Sequence, residues 1–150
     1  MKETCLGIVR DGTFLLFIRK LRGLGKGLLT FPGGKVEEQE SPEECVKREL
    51  WEEVKITALK LEKVAEILFR HGNDEEKMYV YVITDYTDIP TITAEALPMW
   101  LKEPIYEEMW ADDKVWLPRV LAGQAVCCEF NFSQDWSEFH GGECRSCKLT

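Results

Sequence analysis

At 150 residues, with 45% apolar and 11% aromatic residues, the chain is long enough for one buried core and too apolar to stay disordered. A formal charge of −8 excludes a general grip on nucleic acid polymers or anionic membranes, which are held by Lys and Arg. A single nucleotide remains open as a ligand, because a metal ion can carry its phosphates to an acidic site.

No apolar run is long enough to cross a bilayer, and the opening MKETCLGIVR is too short and polar for a signal peptide. The compartment expected is therefore the cytoplasm. Residues 6–10 and 13–19 are short apolar runs joined by Asp11-Gly12, a strong hairpin signal. Residues 20–28 (KLRGLGKGL) form a basic, glycine-rich loop with Lys20, Arg22 and Lys26. It reads either as a surface connection or as a lip over an anionic ligand. The spacing of a Walker loop is absent.

Residues 28–31 predict a short strand feeding the turn Pro32-Gly33-Gly34. Ser41, Pro42 and Glu44 then make a helix start with a capping box, and nothing breaks a helix from 42 to about 54. Val46, Leu50 and Val54 form the row that should face a core. Glu49, Glu52 and Glu53 stand at i, i+3 and i+4, so their carboxylates gather beside that row. Carboxylates so close repel unless something positive sits among them. Arg48 supplies one charge; Mg²⁺, which takes oxygen ligands and substrate phosphates, would supply more. The plain alternative is a solvated acidic helix face.

Residues 59–69 read as a strand of mixed pattern, 70–77 (RHGNDEEK) as a charged turn, and 78–84 (MYVYVIT) as a central strand. Residues 91–102 hold Glu95 and a strand around Met99-Trp100. In 105–122, Asp112 is a candidate helix cap, and Pro118 predicts an early bend or a later helix start. The same stretch holds MWADDKVWLP, where an indole beside two adjacent carboxyl groups could stack on a purine and bond its edge. With one of the two protonated, the pair could both donate and accept. Residues 125–132 (AVCCEFNF) predict the last strand. Strands interleaved with two helices and linked by hairpins indicate an α/β fold, a mixed sheet between helices.

Cys5 and Cys45 lie in apolar patterns, where reduced buried thiols are expected. Cys127, Cys128, Cys144 and Cys147, with His140, raise a structural zinc, but only the Cys144–Cys147 pair has half-site spacing. Adjacent strand cysteines also point to opposite faces. The simpler expectation for residues 133–150 is a disordered tail with free thiols.

The segment GKVEEQESPEECVKRELWEEVKI resembles the Nudix box: Gly, five residues, Glu, seven residues, then Arg-Glu-apolar-x-Glu-Glu-x-Gly-apolar. Gly34, Glu40, Arg48, Glu49, Leu50, Glu52, Glu53 and Ile56 fall on its positions, and Lys55 replaces the usual glycine. The resemblance implies the Nudix α/β/α sandwich over residues 1–132, with 133–150 as the tail. It also implies hydrolysis of a phosphoanhydride by a metal-activated water. Glu49, Glu52 and Glu53, the Gly33 or Gly34 carbonyl, and Glu95 would hold Mg²⁺, with Mn²⁺ as a substitute. Arg48 would orient a carboxylate, and Glu52, Glu53 and Glu95 are all candidates for the proton-accepting base.

FPGGKV and Trp110-x-Asp112-Asp113 are similar to elements of the oxidised purine nucleoside triphosphatases, the 8-oxo-dGTP diphosphatases. That likeness implies a base site of Trp110, Asp112, Asp113, Lys20, Phe69 and Met78. It implies a nucleoside triphosphate substrate cleaved to monophosphate and pyrophosphate. Thr30 stands where an Asn is expected, and a hydroxyl lacks an amide's paired donor and acceptor. Other readings are a Nudix hydrolase of a dinucleoside polyphosphate or nucleotide sugar, and a non-catalytic nucleotide-binding module.

Overall fold

Alternation along the strands decides the layering. In the computed structural model, which describes residues 1–149, β1 (Lys2–Asp11) and β2 (Phe14–Lys20) form the hairpin predicted around Asp11-Gly12, with Asp11 paired to Phe14. Leu15 and Phe17 of β2 face one apolar layer, while Leu16 and Ile18 face the other. A strand buried on both faces needs cover on both, and two helices provide it. Helix α1 (Pro42–Val54) contributes Cys45, Val46, Leu50 and Val54 to one layer. Helix α2 (Asp113–Leu121) contributes Trp116, Leu117 and Val120 to the other. Each fully buried Leu or Val on these rows stabilises the layer by about 1.5–3 kcal/mol.

The remaining strands are β3 (Leu29–Thr30), β4 (Gly33–Lys35), β5 (Thr57–His71), β6 (Asp74–Thr87), β7 (Ala96–Leu101), β8 (Val126–Phe132) and β9 (Phe139–Ser146). They join in one mixed sheet of order β3-β2-β1-β6-β5-β8-β9, with β4 on β1 and β7 on β2. Strand β6 is central, as its sequence predicts, parallel to β1 and antiparallel to β5. This is an α/β sandwich with a mixed sheet between helices.

Helix α1 begins as read. The Glu44 N–H donates to Ser41 Oγ at 3.1 Å and the Ser41 N–H donates to Glu44 Oε1 at 2.9 Å. It ends at Lys55, which takes the left-handed conformation (φ 64°) usually given to glycine. Helix α2 starts at Asp113, directly after Asp112, and carries Pro118 inside it, so Pro118 does not set its start.

Three expectations are corrected. Residues 70–77 are not a charged turn: β5 and β6 run through them, and only Gly72-Asn73 turn. Their charges pair across the hairpin instead, as in Arg70 Nε donating to Glu75 Oε2 at 3.0 Å. Nor is the stretch after Phe132 a structureless tail. Strand β9 pairs antiparallel with β8, and Phe139 packs on Phe130 and Phe132, with ring centroids 5.9 and 5.1 Å apart. Thr150, the end of the expected tail, lies outside the described residues.

The cysteines are neither free thiols nor zinc ligands but three disulfides, Cys5–Cys45, Cys127–Cys147 and Cys128–Cys144. Neighbouring Cys127 and Cys128 do project to opposite faces of β8, and each finds its own partner there. Cys5–Cys45 ties β1 to α1, so buried thiols at these positions were the wrong expectation. Cross-links of this kind are commonest in oxidising compartments, which removes cysteine usage as support for a cytoplasmic location. Among the described residues, no helix is long and apolar enough to cross a membrane.

Candidate active site

The turn from β3 into β4 lays Gly33 and Gly34 against β1, and α1 crosses directly over them. A Cβ at Gly34 would stand 2.7–2.8 Å from the carboxyl atoms of Glu49, so only glycine admits that side chain here. Glu53, one helical turn on, lies between Glu49 and the Gly33 backbone. Its Oε2 is buried with no hydrogen-bond partner. Burial and then the neighbouring Glu49 push the Glu53 carboxyl up to about 9, with a backbone hydrogen bond from Gly33 pulling it back. A buried, orphaned carboxylate oxygen beside a second carboxylate is a donor set suited to a hard cation.

Arg48 organises the rest of the acidic face. Its Nε donates to Glu40 Oε2 at 2.7 Å and its Nη2 to Glu40 Oε1 at 3.0 Å, a two-pronged pair. Its Nη1 reaches Glu49 Oε1 at 2.5 Å and Glu52 Oε2 at 3.2 Å. The Arg48 hydrogen bonds hold the Glu40 carboxyl below the usual range. Glu52 is exposed and turned toward Arg48 rather than toward Glu53. Glu95 is likewise drawn away, hydrogen-bonded by Arg22 of the basic loop, which lowers its carboxyl. Among the described residues, no three acidic, His or Cys side chains converge tightly enough to make a finished metal cage. Glu49 and Glu53 meet; Glu52 and Glu95 stand at the edge of the site, each occupied by an arginine.

The glycine turn opens into a cleft between β2, β3, β6 and the start of α2. It encloses about 200 Å³, several times the roughly 30 Å³ share of one water. Gly33, Gly34, Glu53 and Glu95 line its acidic end. Lys20, Thr30, Phe69, Met78, Trp110, Asp112 and Asp113 line the remainder. The basic loop folds over this end, with Leu24 in the lining and Gly25 against the Trp110 indole. The loop is therefore a lip, although Arg22 is spent on Glu95 rather than offered to an anion.

Asp112 and Asp113 depart from the plain expectation of a helix cap. Asp112 precedes α2, but its side chain makes no capping hydrogen bond. Instead Trp116 Nε1 donates to Asp112 Oδ2 at 2.9 Å and to Asp113 Oδ1 at 3.2 Å. Both side chains are buried, with 3% and 6% of their surface exposed. Burial raises Asp112 to about 6. Burial and the Asp112 charge raise Asp113 well above the carboxylate range. Both shifts favour retention of a proton, and a pair that kept one could donate and accept side by side.

Glu76 and Trp136 also line the cleft and were missed in the sequence. Glu76 stands two residues before Met78 on β6, hence on the same face, a signal that was there to use. Trp136 comes from the stretch read as a tail, and nothing in its spacing pointed to the cleft.

The family description "NUDIX domain" matches residues 4–120. The chain belongs to the Nudix family. It is 36% identical over 133 residues to the oxidized purine nucleoside triphosphate hydrolase of Mus musculus, covering 86% of this chain and 85% of that protein. The protein of the same name from Danio rerio is 34% identical over 134 residues, with the same coverage. Among solved structures, the MutT protein of Bacillus halodurans superposes with a TM-score of 0.81 at 25% identity, covering 96% of this chain and 97% of that one. The chain is thus a Nudix hydrolase in fold and family.

Proposed function

We propose that this Nudix hydrolase cleaves oxidised purine nucleoside triphosphates, such as 8-oxo-dGTP, to the monophosphate and pyrophosphate. The observation that carries this reading is the joining of two unlike ends in one cleft. At one end a buried carboxylate with an unpartnered oxygen lies beside glycine backbone; at the other two buried carboxyl groups, both raised by burial, lie beside an indole. The first suits a metal-bound phosphate chain and the second the edge of a purine. The names of the mouse and zebrafish relatives support the same substrate class.

Mg²⁺, or Mn²⁺ in its place, would be held by Glu49, Glu53 and the Gly33 or Gly34 carbonyl, joined by Glu52 through Oε1, which Arg48 leaves free, and by Glu95 on release from Arg22. When bound, such an ion supplies charge neutralisation and an acidified water. The chain's own part is to fix the geometry. Arg48 sets the Glu49 and Glu52 carboxylates, while Lys20 at the cleft wall offers a cation to the phosphates. Trp110 and Phe69 provide flat apolar walls, and Asp112-Asp113 read the base edge. Glu52, Glu53 and Glu95 remain the candidates for the base. Thr30 offers a hydroxyl to the purine, which leaves the choice among oxidised purines to the acid pair.

A cytoplasmic site of action suits a triphosphate substrate, and there the three cystines would be reducible cross-links rather than permanent ones. The acidic surface argues for a free nucleotide over a nucleic acid polymer or a membrane as partner.

The test is a substrate panel: pyrophosphate release from dGTP, 8-oxo-dGTP and 2-oxo-dATP, with diadenosine polyphosphate and ADP-ribose as controls, with Mg²⁺ and with EDTA. The reading requires metal-dependent turnover favouring an oxidised purine over dGTP. Equal rates on dGTP and 8-oxo-dGTP, or a preference for the dinucleoside polyphosphate or ADP-ribose, would move the protein to another branch of the family.

A further inference from the structure

Trp136 sits in the turn between β8 and β9, far in sequence from the rest of the cleft, yet its indole forms part of the cleft wall. It meets Trp110 edge to face at 6.0 Å between ring centroids, and Phe69 at 5.6 Å. Its other side stacks on His71 at 4.3 Å. The ring is half-buried, so part of it faces the cleft.

The turn that carries it is held unusually firmly. Asp135 Oδ1 accepts from the Ser137 N–H at 3.1 Å and from Ser133 Oγ at 3.0 Å, and the Glu138 N–H donates to Ser133 Oγ at 2.9 Å. Trp136 itself has φ 68°, a left-handed conformation that a bulky aromatic adopts only when its surroundings impose it.

A second set of bonds sews this turn to the β5–β6 turn. The Asn73 N–H donates to Gln134 Oε1 at 3.1 Å, Gln134 Nε2 donates to Asp74 Oδ2 at 2.6 Å, and His71 Nδ1 lies 3.2 Å from the Gln134 carbonyl oxygen. Gly72 is required for this approach, because a Cβ there would collide with the Gln134 amide. Below the turn, Cys128–Cys144 links β8 to β9 and Cys127–Cys147 links β8 to the residue after β9. A strained residue, clamped by its neighbours and still part of the cleft lining, is placed for contact with a ligand rather than for packing alone.

We propose that Trp136 is a specificity-determining residue of this site, an aromatic wall that contacts the purine ring together with Trp110. Gln134 is its positioning residue. The inference rests on the proposed purine triphosphate substrate and adds a residue to its recognition. An indole next to the flat ring of a base gains by stacking or edge contact, and the gain depends on the ring and not on the phosphates.

The experiment compares Trp136→Ala, Trp136→Phe and Gln134→Ala with the parent by steady-state kinetics on 8-oxo-dGTP and dGTP. Binding of the monophosphate product 8-oxo-dGMP is measured alongside by calorimetry. Trp136→Ala should raise KM for 8-oxo-dGTP and weaken 8-oxo-dGMP binding about tenfold or more, with kcat changed less than about threefold. Trp136→Phe should restore most of the loss, and Gln134→Ala should fall between. If Trp136→Ala fails to fold, Gln134→Ala still reports, and a parental KM and product affinity in that variant overturns the proposal. A folded Trp136→Ala with parental KM, preference and product affinity overturns it as well, while the functional reading stands. A parent protein that neither hydrolyses a purine triphosphate nor binds the monophosphate overturns both.

Discussion

Arg48 and Glu40 form a two-pronged ion pair, 2.7 and 3.0 Å, in which the glutamate lies before α1 and the arginine in its middle. The pair leaves Nη1 of the same guanidinium free to hold Glu49 and Glu52. One residue thus fixes both the entry loop of the helix and two of the carboxylates on its acidic face.

Arg48→Lys should therefore not behave as a conservative change, because an ammonium cannot reproduce the fork. With charged hydrogen bonds lost, stability should fall by about 1–2 kcal/mol, or several degrees in Tm. Turnover should fall by about tenfold or more, as Glu49 and Glu52 lose their orientation. Thermal melts and initial rates check both; an unchanged rate would remove Arg48 from the positioning role.

Glu53→Gln separates chemistry from folding. The carboxyl is buried with an unpartnered oxygen, so a neutral amide of the same shape should leave the metal-free Tm unchanged or higher. Turnover should be abolished, and any rise in Tm on adding Mg²⁺ should shrink. Parental turnover in this variant would contradict the proposed role.

The pH dependence of stability should carry the mark of Asp112. Its ordinary value of 3.8 is raised by burial to about 6 in the folded chain. The folded state therefore holds a proton that the unfolded state has released across this window. The contribution is fully present below about 3.8, declines as pH rises and is lost above about 6. Carboxylates such as Glu40 shift the other way, so the readout is a difference: Asp112→Asn minus parent. That difference in unfolding free energy should climb in the variant's favour between about pH 4 and 6, then level off. A difference that is flat with pH would show that Asp112 is not desolvated.

The cysteines offer an independent check. The loops closed by Cys127–Cys147 and Cys128–Cys144 span 20 and 16 residues, and Cys5–Cys45 spans 40. Each cross-link stabilises by about 2–4 kcal/mol through the unfolded chain, although the adjacent pair on β8 and β9 overlap and do not add. Reductant should lower Tm markedly, and the unreduced, denatured protein should titrate no free thiol. Six titratable thiols and a Tm indifferent to reductant would contradict the disulfides.

Much of this was legible in advance where local chemistry decides structure. Ser41 and Glu44 cap a helix by their own hydrogen bonds, and Gly12, left-handed in the turn after Asp11, closes a hairpin without help. The acidic cluster was legible as a spacing, but its partition was not. Glu95 turns to Arg22, 73 residues away, which only the fold brings near, while Glu52 takes Arg48 one helical turn before it. Asp112 looked like a cap because caps are local; its indole partner, Trp116, wins because the fold buries both. Strand β9 was hidden by Gly141, Gly142 and a polar composition. What makes it a strand is its partner, through Phe139 packing and the disulfides, and pairing of that kind has no local signature.

The central claim is that the glycine turn and α1 hold a divalent cation against the phosphates of a nucleotide. A crystal structure with Mn²⁺ in place of Mg²⁺ and a non-hydrolysable purine triphosphate tests it most directly. The account predicts an anomalous peak bonded to Glu53, Glu49 and the Gly33 or Gly34 carbonyl, at about 2.0–2.3 Å, with the base between Trp110 and Asp112-Asp113. A metal bound elsewhere, or a nucleotide lodged outside this cleft while the cleft itself stays vacant, would contradict it.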